Sequence, residues 1–334
     1  MAGPAMGPRM KMLVTGAGGF IGSHVVEKLL RSGHTVRALV RYNSRGHWGH
    51  LEDISSSLLR RVEIVLGDIT DLNLMRDLVQ SCDVVLHLAA LIAIPYSYRA
   101  PASYITSNVW GTLNVLEACR SARIGRVIVT STSEVYGTAQ YTPIDEDHPL
   151  QAQSPYAASK IAADKLAESY FRSFDLPVVT IRPFNTYGPR QSARAIIPTI
   201  ITQAFANAPE IALGNLEPKR DLTFVEDTAN AFGLAAETPD IEGETIHFGC
   251  GQAISIGELA TRCLSISGSS ARVTSGIDRR RPERSEVGLL ICNAAKAHRM
   301  LGWKAQVSLE EGLRRTAEYL RGHLEQYRPQ VYNI

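Results

Sequence analysis

KMLVTGAGGFIG, residues 11–22, joins a short apolar run to a glycine-rich turn. Lys11–Thr15 has the composition of a buried strand. The next residues give G-x-x-G-x-x-G, and SHVVEKLLRSG has the spacing of a helix that ends at Gly33. Glycines at these places let the chain turn tightly and let backbone N–H groups approach a pyrophosphate at a helix N-terminus. The spacing alone is weak evidence. Set between a strand and a helix, it predicts a dinucleotide site that uses Gly16, Gly19, Phe20, Ile21 and Gly22.

Outward from this turn, apolar runs alternate with amphipathic stretches. HTVRALV (34–40), RRVEIVLGD (60–68), DVVLHLAA (83–90), GRVIVTST (125–132) and PVVTIRPF (177–184) read as further strands. DLNLMRDLVQ, SNVWGTLNVLEACRSA and SPYAASKIAADKLAESYFRSF read as the helices between them. Continuous apolar strands alternating with helices imply a parallel sheet covered on both faces. The expected fold is α/β: a Rossmann-type doubly wound parallel sheet with a smaller C-terminal α/β substrate lobe. Residues 1–10 are expected to be a flexible leader and 11–184 the dinucleotide-binding domain. A segment near 225–250 would return to that domain, and 185–334 would form most of the lobe.

Composition narrows the function. The 334 residues carry a net charge of +2 and no basic run, which disfavours nucleic acid as a partner. No apolar run approaches the length of about 18 residues that a spanning helix needs. The five cysteines and nine histidines lack metal-ligand spacing. All five cysteines are expected to be small core residues in a reducing compartment, and the cytoplasm is the expected location. His87 is expected to be a packed core residue.

Candidate chemistry collects at the strand ends. A carboxylate after the second strand would bind the ribose 2′-hydroxyl of NAD. The chain has Arg41 there, and a guanidinium suits a 2′-phosphate, which favours NADP over NAD. Asp68, after the third strand, is a candidate for the adenine. Tyr156 and Lys160 lie four apart at the start of a helix and so share a face. A nearby ammonium and a cationic nicotinamide should favour the phenolate, and each unit of pKa lowering is worth about 1.4 kcal/mol. Tyr156 could then take a proton from a sugar hydroxyl. The segment TSTSEVYG (130–137) places Glu134 at the end of a buried strand, where a carboxylate is costly unless it has a partner or a task.

GAGGFIG, GDITD, HLAA, the Tyr156/Lys160 pair and RPFNTYGPRQ, in this order, resemble the extended short-chain dehydrogenase/reductase family over residues 11–325. The resemblance implies a Rossmann domain with a C-terminal nucleotide-sugar lobe, usually in a homodimer. It makes Thr132 the hydrogen-bond partner of the sugar hydroxyl, Tyr156 the base and Lys160 a ligand of the cofactor ribose. It adds Ile69, Leu88, Ala89 and Ala90 to the cofactor contacts.

STSEVYGTAQ, AALIAIPYSY and RPFNTYGPRQSARAIIPTII are similar to the nucleotide-sugar dehydratase branch that acts on UDP-N-acetylglucosamine or a close relative. By that resemblance Glu134 removes the C5 proton once C4 is a ketone, and the product is a 4-keto-6-deoxy sugar. Glucose 4,6-dehydratases place an Asp acid between the Thr and the Glu, where this chain has Ser133. Release of the hydroxyl then falls to a recycled Glu134 proton or to water. The same features resemble 5,6-dehydratases and UDP-glucuronate decarboxylases. A nucleotide-sugar 4-epimerase is the plain rival, and a binding protein that merely keeps the fold is the non-enzyme alternative. Asn185 and Arg220 are the implied diphosphate ligands, Arg281 is a second guanidinium candidate, and Arg190 is a further expected substrate contact. Arg281 sits in a cluster with Arg279, Arg280 and Arg284 that suits an anion.

Overall fold

The computed structural model describes residues 9–276 and 282–331. Six strands come first: β1 (Lys11–Thr15), β2 (Thr35–Arg41), β3 (Val62–Gly67), β4 (Val84–His87), β5 (Arg126–Thr130) and β6 (Val178–Pro183). Seven more follow: β7 (Asn185–Tyr187), β8 (Glu210–Leu213), β9 (Lys219–Phe224), β10 (Thr245–Phe248), β11 (Ala253–Ser255), β12 (Arg272–Ser275) and β13 (Leu289–Leu290). The main sheet has seven strands in the order β10-β6-β5-β4-β1-β2-β3. All its pairings are parallel. This is the expected doubly wound Rossmann-type sheet. The chain leaves β1 toward β2 and β3, then resumes on the other side of β1 with β4. The crevice at such a reversal opens at the carboxyl ends of the strands.

Alternation along β1 shows why these runs become strands. Met12 and Val14 enter one apolar core with Val25, Leu29, Phe232 and Trp303. Leu13, between them, enters the opposite core with Leu39, Met75, Val85 and Leu116. Period-two alternation with both faces apolar needs a helical layer on each side. Several helices carry the caps that their first turns require. Asp71 accepts from Asn73 N and Leu74 N ahead of helix Leu72–Val79. Ser154 accepts from Ala157 N ahead of helix Pro155–Phe174, with Pro155 in the first turn. Helix Val225–Glu237 packs with helix Phe20–Arg31 in the first core, and β10 then extends the sheet beside β6.

The remaining strands are short. β9 is their hub: β7 and β13 run parallel to it and β11 antiparallel. β8 and β12 form a separate parallel pair. Helices Ile196–Phe205, Ile256–Ser267 and Leu309–Gly322 close a third core around Ile200, Leu259 and Leu313. The helix expected from residue 107 begins earlier, with a π-helical stretch at Ile105–Trp110 that leads into helix Gly111–Ala122.

Cys82, Cys119, Cys263 and Cys292 are buried, but Cys250 is exposed, which corrects the expectation of five core thiols. Its place is taken by a polar contact: Sγ donates to Asp221 Oδ1 at 3.0 Å. His87 is a core residue, with Nδ1 2.8 Å from Thr15 Oγ1 and Nε2 3.0 Å from Thr112 Oγ1. No helix among the described residues is long and apolar enough to cross a membrane.

Candidate active site

A cleft of about 700 Å³ runs along the carboxyl ends of β1, β2, β4, β5 and β6. The glycine turn forms one end. Gly16 has φ +68°, and a Cβ there would lie 2.7 Å from Ala89 N. A Cβ on Gly22 would lie 2.2 Å from Gly16 O, so this helix can pass the turn only without a side chain. Helix Phe20–Arg31 starts at Gly19 with no side-chain cap and no acidic residue in its first turn. Its first N–H groups therefore face the cleft with no anion of the chain's own, which is the arrangement a pyrophosphate requires. The residues present fit a dinucleotide.

Gly16, Gly19, Phe20, Ile21, Gly22, Arg41, Leu88, Ala89 and Ala90 all line the cleft. Arg41 is 76% exposed, with Nε 3.8 Å from Asp68 Oδ2. Asp68 and Ile69 are not among the lining residues. Asp68 Oδ1 accepts from Thr70 N and Thr70 Oγ1, and Ile69 packs in the second core. Composition did not reveal a loop that also reaches the cleft through Asn43 and His47. Asn43 folds it: Oδ1 accepts from Arg45 N and His47 N, and Nδ2 donates to His47 O. An Asn two residues past a strand signals such a turn.

At the other end, Thr132, Ser133, Glu134, Tyr156, Lys160 and Asn185 converge. Thr132 caps the single turn Ser133–Tyr136, its hydroxyl accepting from Glu134 N at 3.2 Å. That turn brings the Glu134 carboxylate, 9% exposed, to the cleft wall. Helix Pro155–Phe174 supplies Tyr156 and Lys160 from one face, both buried. Tyr104 packs edge-on against Tyr156, ring centroids 6.2 Å apart. Asn185 Oδ1 is buried without a protein partner at the cleft, an acceptor placed for a ligand.

The electrostatics correct one expectation. Burial pushes the Tyr156 phenol above its ordinary value. A hydrogen bond with Thr132 opposes this, and the Glu134 charge adds to it. Burial also lowers the Lys160 ammonium, against the raising effect of Asp164, and its Nζ donates to Thr130 O at 2.5 Å. The chain alone therefore keeps Tyr156 protonated.

The arginines divide. Arg190, at φ +67°, turns to helix Phe20–Arg31, with NH2 3.0 Å from Glu27 Oε2. Arg220 is buried on β9, donating to Lys219 O and 3.7 Å from Glu286 Oε1. Neither lines the cleft as it stands. Arg279, Arg280 and Arg281 lie outside the described residues. Arg194, which sequence reasoning passed over, does line it, with Gln191 and Ser192. Its signal was the segment itself, an arginine just ahead of the apolar helix AIIPTII.

The chain matches the family model described as GDP-mannose 4,6 dehydratase over residues 13–316. It is 35% identical to the UDP-glucose 4-epimerase of Mycolicibacterium smegmatis, over 93% of this chain and 99% of that protein. It is 32% identical to the dTDP-glucose 4,6-dehydratase of Streptomyces niveus, over 96% of this chain and 95% of that protein. Among solved structures it is similar to DesIV, a dTDP-glucose 4,6-dehydratase from Streptomyces venezuelae with NAD and TYD bound. That match has a TM-score of 0.87 at 30% identity, covering 96% of this chain and 100% of the other.

Proposed function

The chain belongs to the GDP-mannose 4,6 dehydratase family, and from that premise we propose that it is a nucleotide-sugar 4,6-dehydratase acting on UDP-N-acetylglucosamine or a close NDP-hexosamine. The observation that carries this reading is Glu134. It is the one carboxylate among the described residues lining the cleft, and it shares that cleft with Thr132, Tyr156 and Lys160. C4 oxidation needs only the last three. A carboxylate beside them has a task only if a proton leaves carbon.

Gly16, Gly19, Phe20, Ile21 and Gly22 would hold the cofactor pyrophosphate, and Lys160 its nicotinamide ribose. Leu88, Ala89 and Ala90 would enclose the rest, whereas Asp68 would act through Arg41, 3.8 Å away, and Ile69 stays in the second core. Arg41 supports NADP through its 2′-phosphate; NAD, which DesIV carries, is the alternative. A bound nicotinamide supplies the hydride acceptor and, later, the donor. Thr132 orients the C4 hydroxyl, and Tyr156, held protonated by the chain alone, receives its proton once the positive charge of a bound oxidised nicotinamide favours the phenolate. Glu134 then removes the C5 proton, made acidic by the C4 ketone; the C6 hydroxyl leaves as water on a proton recycled from Glu134 or taken from water, and hydride at C6 with a proton at C5 completes the 4-keto-6-deoxy sugar. Asn185 and Arg194, which line the cleft, and Arg281 are the proposed diphosphate ligands; Arg190 and Arg220 would have to turn from Glu27 and Glu286 to join them. The exposed Ile105, Trp110 and Phe174 support a homodimer, with the cytoplasm as the proposed location.

Ser133 favours a second reading, a 4-epimerase, because a hydroxyl is a poor acid for the departing C6 oxygen. One experiment separates them. Purified protein is incubated with UDP-N-acetylglucosamine and with UDP-glucuronate, and product masses are read. Loss of water supports dehydration and loss of carbon dioxide a decarboxylase. An unchanged mass with an inverted C4 centre supports the epimerase. In Glu134→Gln the dehydratase should accumulate reduced cofactor without dehydrated product, whereas an epimerase should keep turning over.

A further inference from the structure

Behind the cleft lies a buried polar chain that the reaction above does not use. Arg182, on β6, is 6% exposed, and Asp164, on helix Pro155–Phe174, is 4% exposed. Arg182 Nε and NH2 donate to Asp164 Oδ2 at 3.1 and 2.9 Å. Arg182 NH1 donates to the Tyr136 hydroxyl at 2.5 Å, and its guanidinium carbon lies 5.2 Å from the Tyr136 ring centroid. The same hydroxyl meets His247 Nε2 at 2.5 Å, on β10. Asp164 Oδ2 also accepts from Ser131 Oγ at 2.7 Å.

A buried ion pair is weak evidence for stability, because desolvation offsets much of its attraction. Its connections suggest another role. Ser131 directly precedes Thr132. Tyr136 ends the one-turn segment that carries Glu134. Asp164 lies one helical turn beyond Lys160 and two beyond Tyr156 on the same helix. Each contact of the pair therefore lands beside a residue of the site, and the two halves of the site lie on separate elements.

We propose that the Arg182–Asp164 pair is a positioning device that sets the Glu134 turn against the Tyr156–Lys160 helix, with Tyr136 as the arm that acts on Glu134. Arg182, Asp164 and Tyr136 touch no substrate; they act through the residues they hold. The arm is separable: loss of the Tyr136 hydroxyl removes its bonds to Arg182 and His247 but leaves Arg182 on Asp164 and Asp164 on Ser131. Geometries of this kind matter because small misplacements of a reacting group cost large factors in rate. The inference rests on the dehydratase reading for its kinetic arm only.

The test is Tyr136→Phe, read in two independent ways. In the free protein, amide hydrogen exchange of residues 133–137 should rise about tenfold or more, while amides of 156–164 stay unchanged and the melting temperature moves little. With UDP-N-acetylglucosamine, the single-turnover appearance of reduced cofactor should stay within about threefold of the parent. Exchange of the C5 hydrogen with deuterated water, and kcat, should fall about tenfold to a hundredfold with KM unchanged. Equal loss of both chemical steps, or an unaltered exchange pattern at 133–137, would overturn the proposal. A parent protein inert toward every nucleotide sugar defeats the functional reading instead, and amide exchange then decides the positioning role alone. Arg182→Met removes the whole device and should loosen both 131–137 and the Lys160 turn; if it does not fold, Tyr136→Phe still decides.

Discussion

The two ends of the cleft are built in different ways. The glycine end comes from residues 16–22 on one β-α turn, and its groups are backbone N–H donors that need no side chain. The catalytic end draws Thr132 and Glu134 from one segment, Tyr156 and Lys160 from another and Asn185 from a third. Local chain geometry suffices for the first. The second exists only because β5 and β6 lie side by side and helix Pro155–Phe174 crosses them. An intolerant backbone cradle thus meets a set of side chains whose members can be removed one at a time.

The sharpest break is Gly22→Val. Its Cβ would be forced to 2.2 Å from Gly16 O, a backbone atom that cannot yield, so dinucleotide binding measured by fluorescence titration should be lost. Retained binding would show that the turn is not a rigid cradle. Tyr156→Phe should behave in the opposite way. The ring and its contact with Tyr104 remain, so cofactor affinity should hold while kcat falls by about 10²–10⁴. A parallel loss of cofactor binding would erase the contrast between the ends.

His24 tests the seam between the two ends. It lies on helix Phe20–Arg31, with Nε2 3.0 Å from Pro189 O in the substrate-side segment. Burial first, and then Arg190, lower its pKa from 6.5 to about 4. The unfolded chain therefore binds a proton that the folded chain refuses. Stability from this group is complete above pH 6.5 and is lost as pH falls toward 4. The slope is about 1.4 kcal/mol per pH unit, with a total of roughly 3 kcal/mol. His24→Gln keeps a donor for Pro189 O, so its urea-unfolding stability should fall less steeply over that window. An identical slope in both proteins would assign the acid sensitivity to other groups.

The smallest effect belongs to the exposed rim. Arg41→Ala should weaken NADP about tenfold, the worth of roughly one charge-assisted bond, and leave NAD nearly unchanged. Equal weakening of both would mean that Arg41 rests on the adenine or on Asp68 alone.

Some of this was legible because its physics is local. Continuous apolar runs announced β1 to β6, and the segment expected to return to the first domain near 225–250 did so as helix Val225–Glu237 and β10. The catalytic candidates could be read from residue type and spacing because Tyr156 and Lys160 share one helical face. Short strands such as β7, β11 and β13 left little trace, since two or three residues have no measurable period.

The sequence by itself determined the α/β alternation, the glycine cradle and the identity of the groups that can do chemistry, because each follows from the preferences of neighbouring residues. The tertiary structure alone decided which groups meet. It turned Arg190 to Glu27 and placed Arg194 in the cleft. It buried Tyr156 enough to hold it protonated. It tied Ser131 and Tyr136 to Asp164 and Arg182, which no spacing in the chain reveals. Burial and charge pairing arise between segments far apart in the chain, so they exist only once the sheet and its covering helices have assembled.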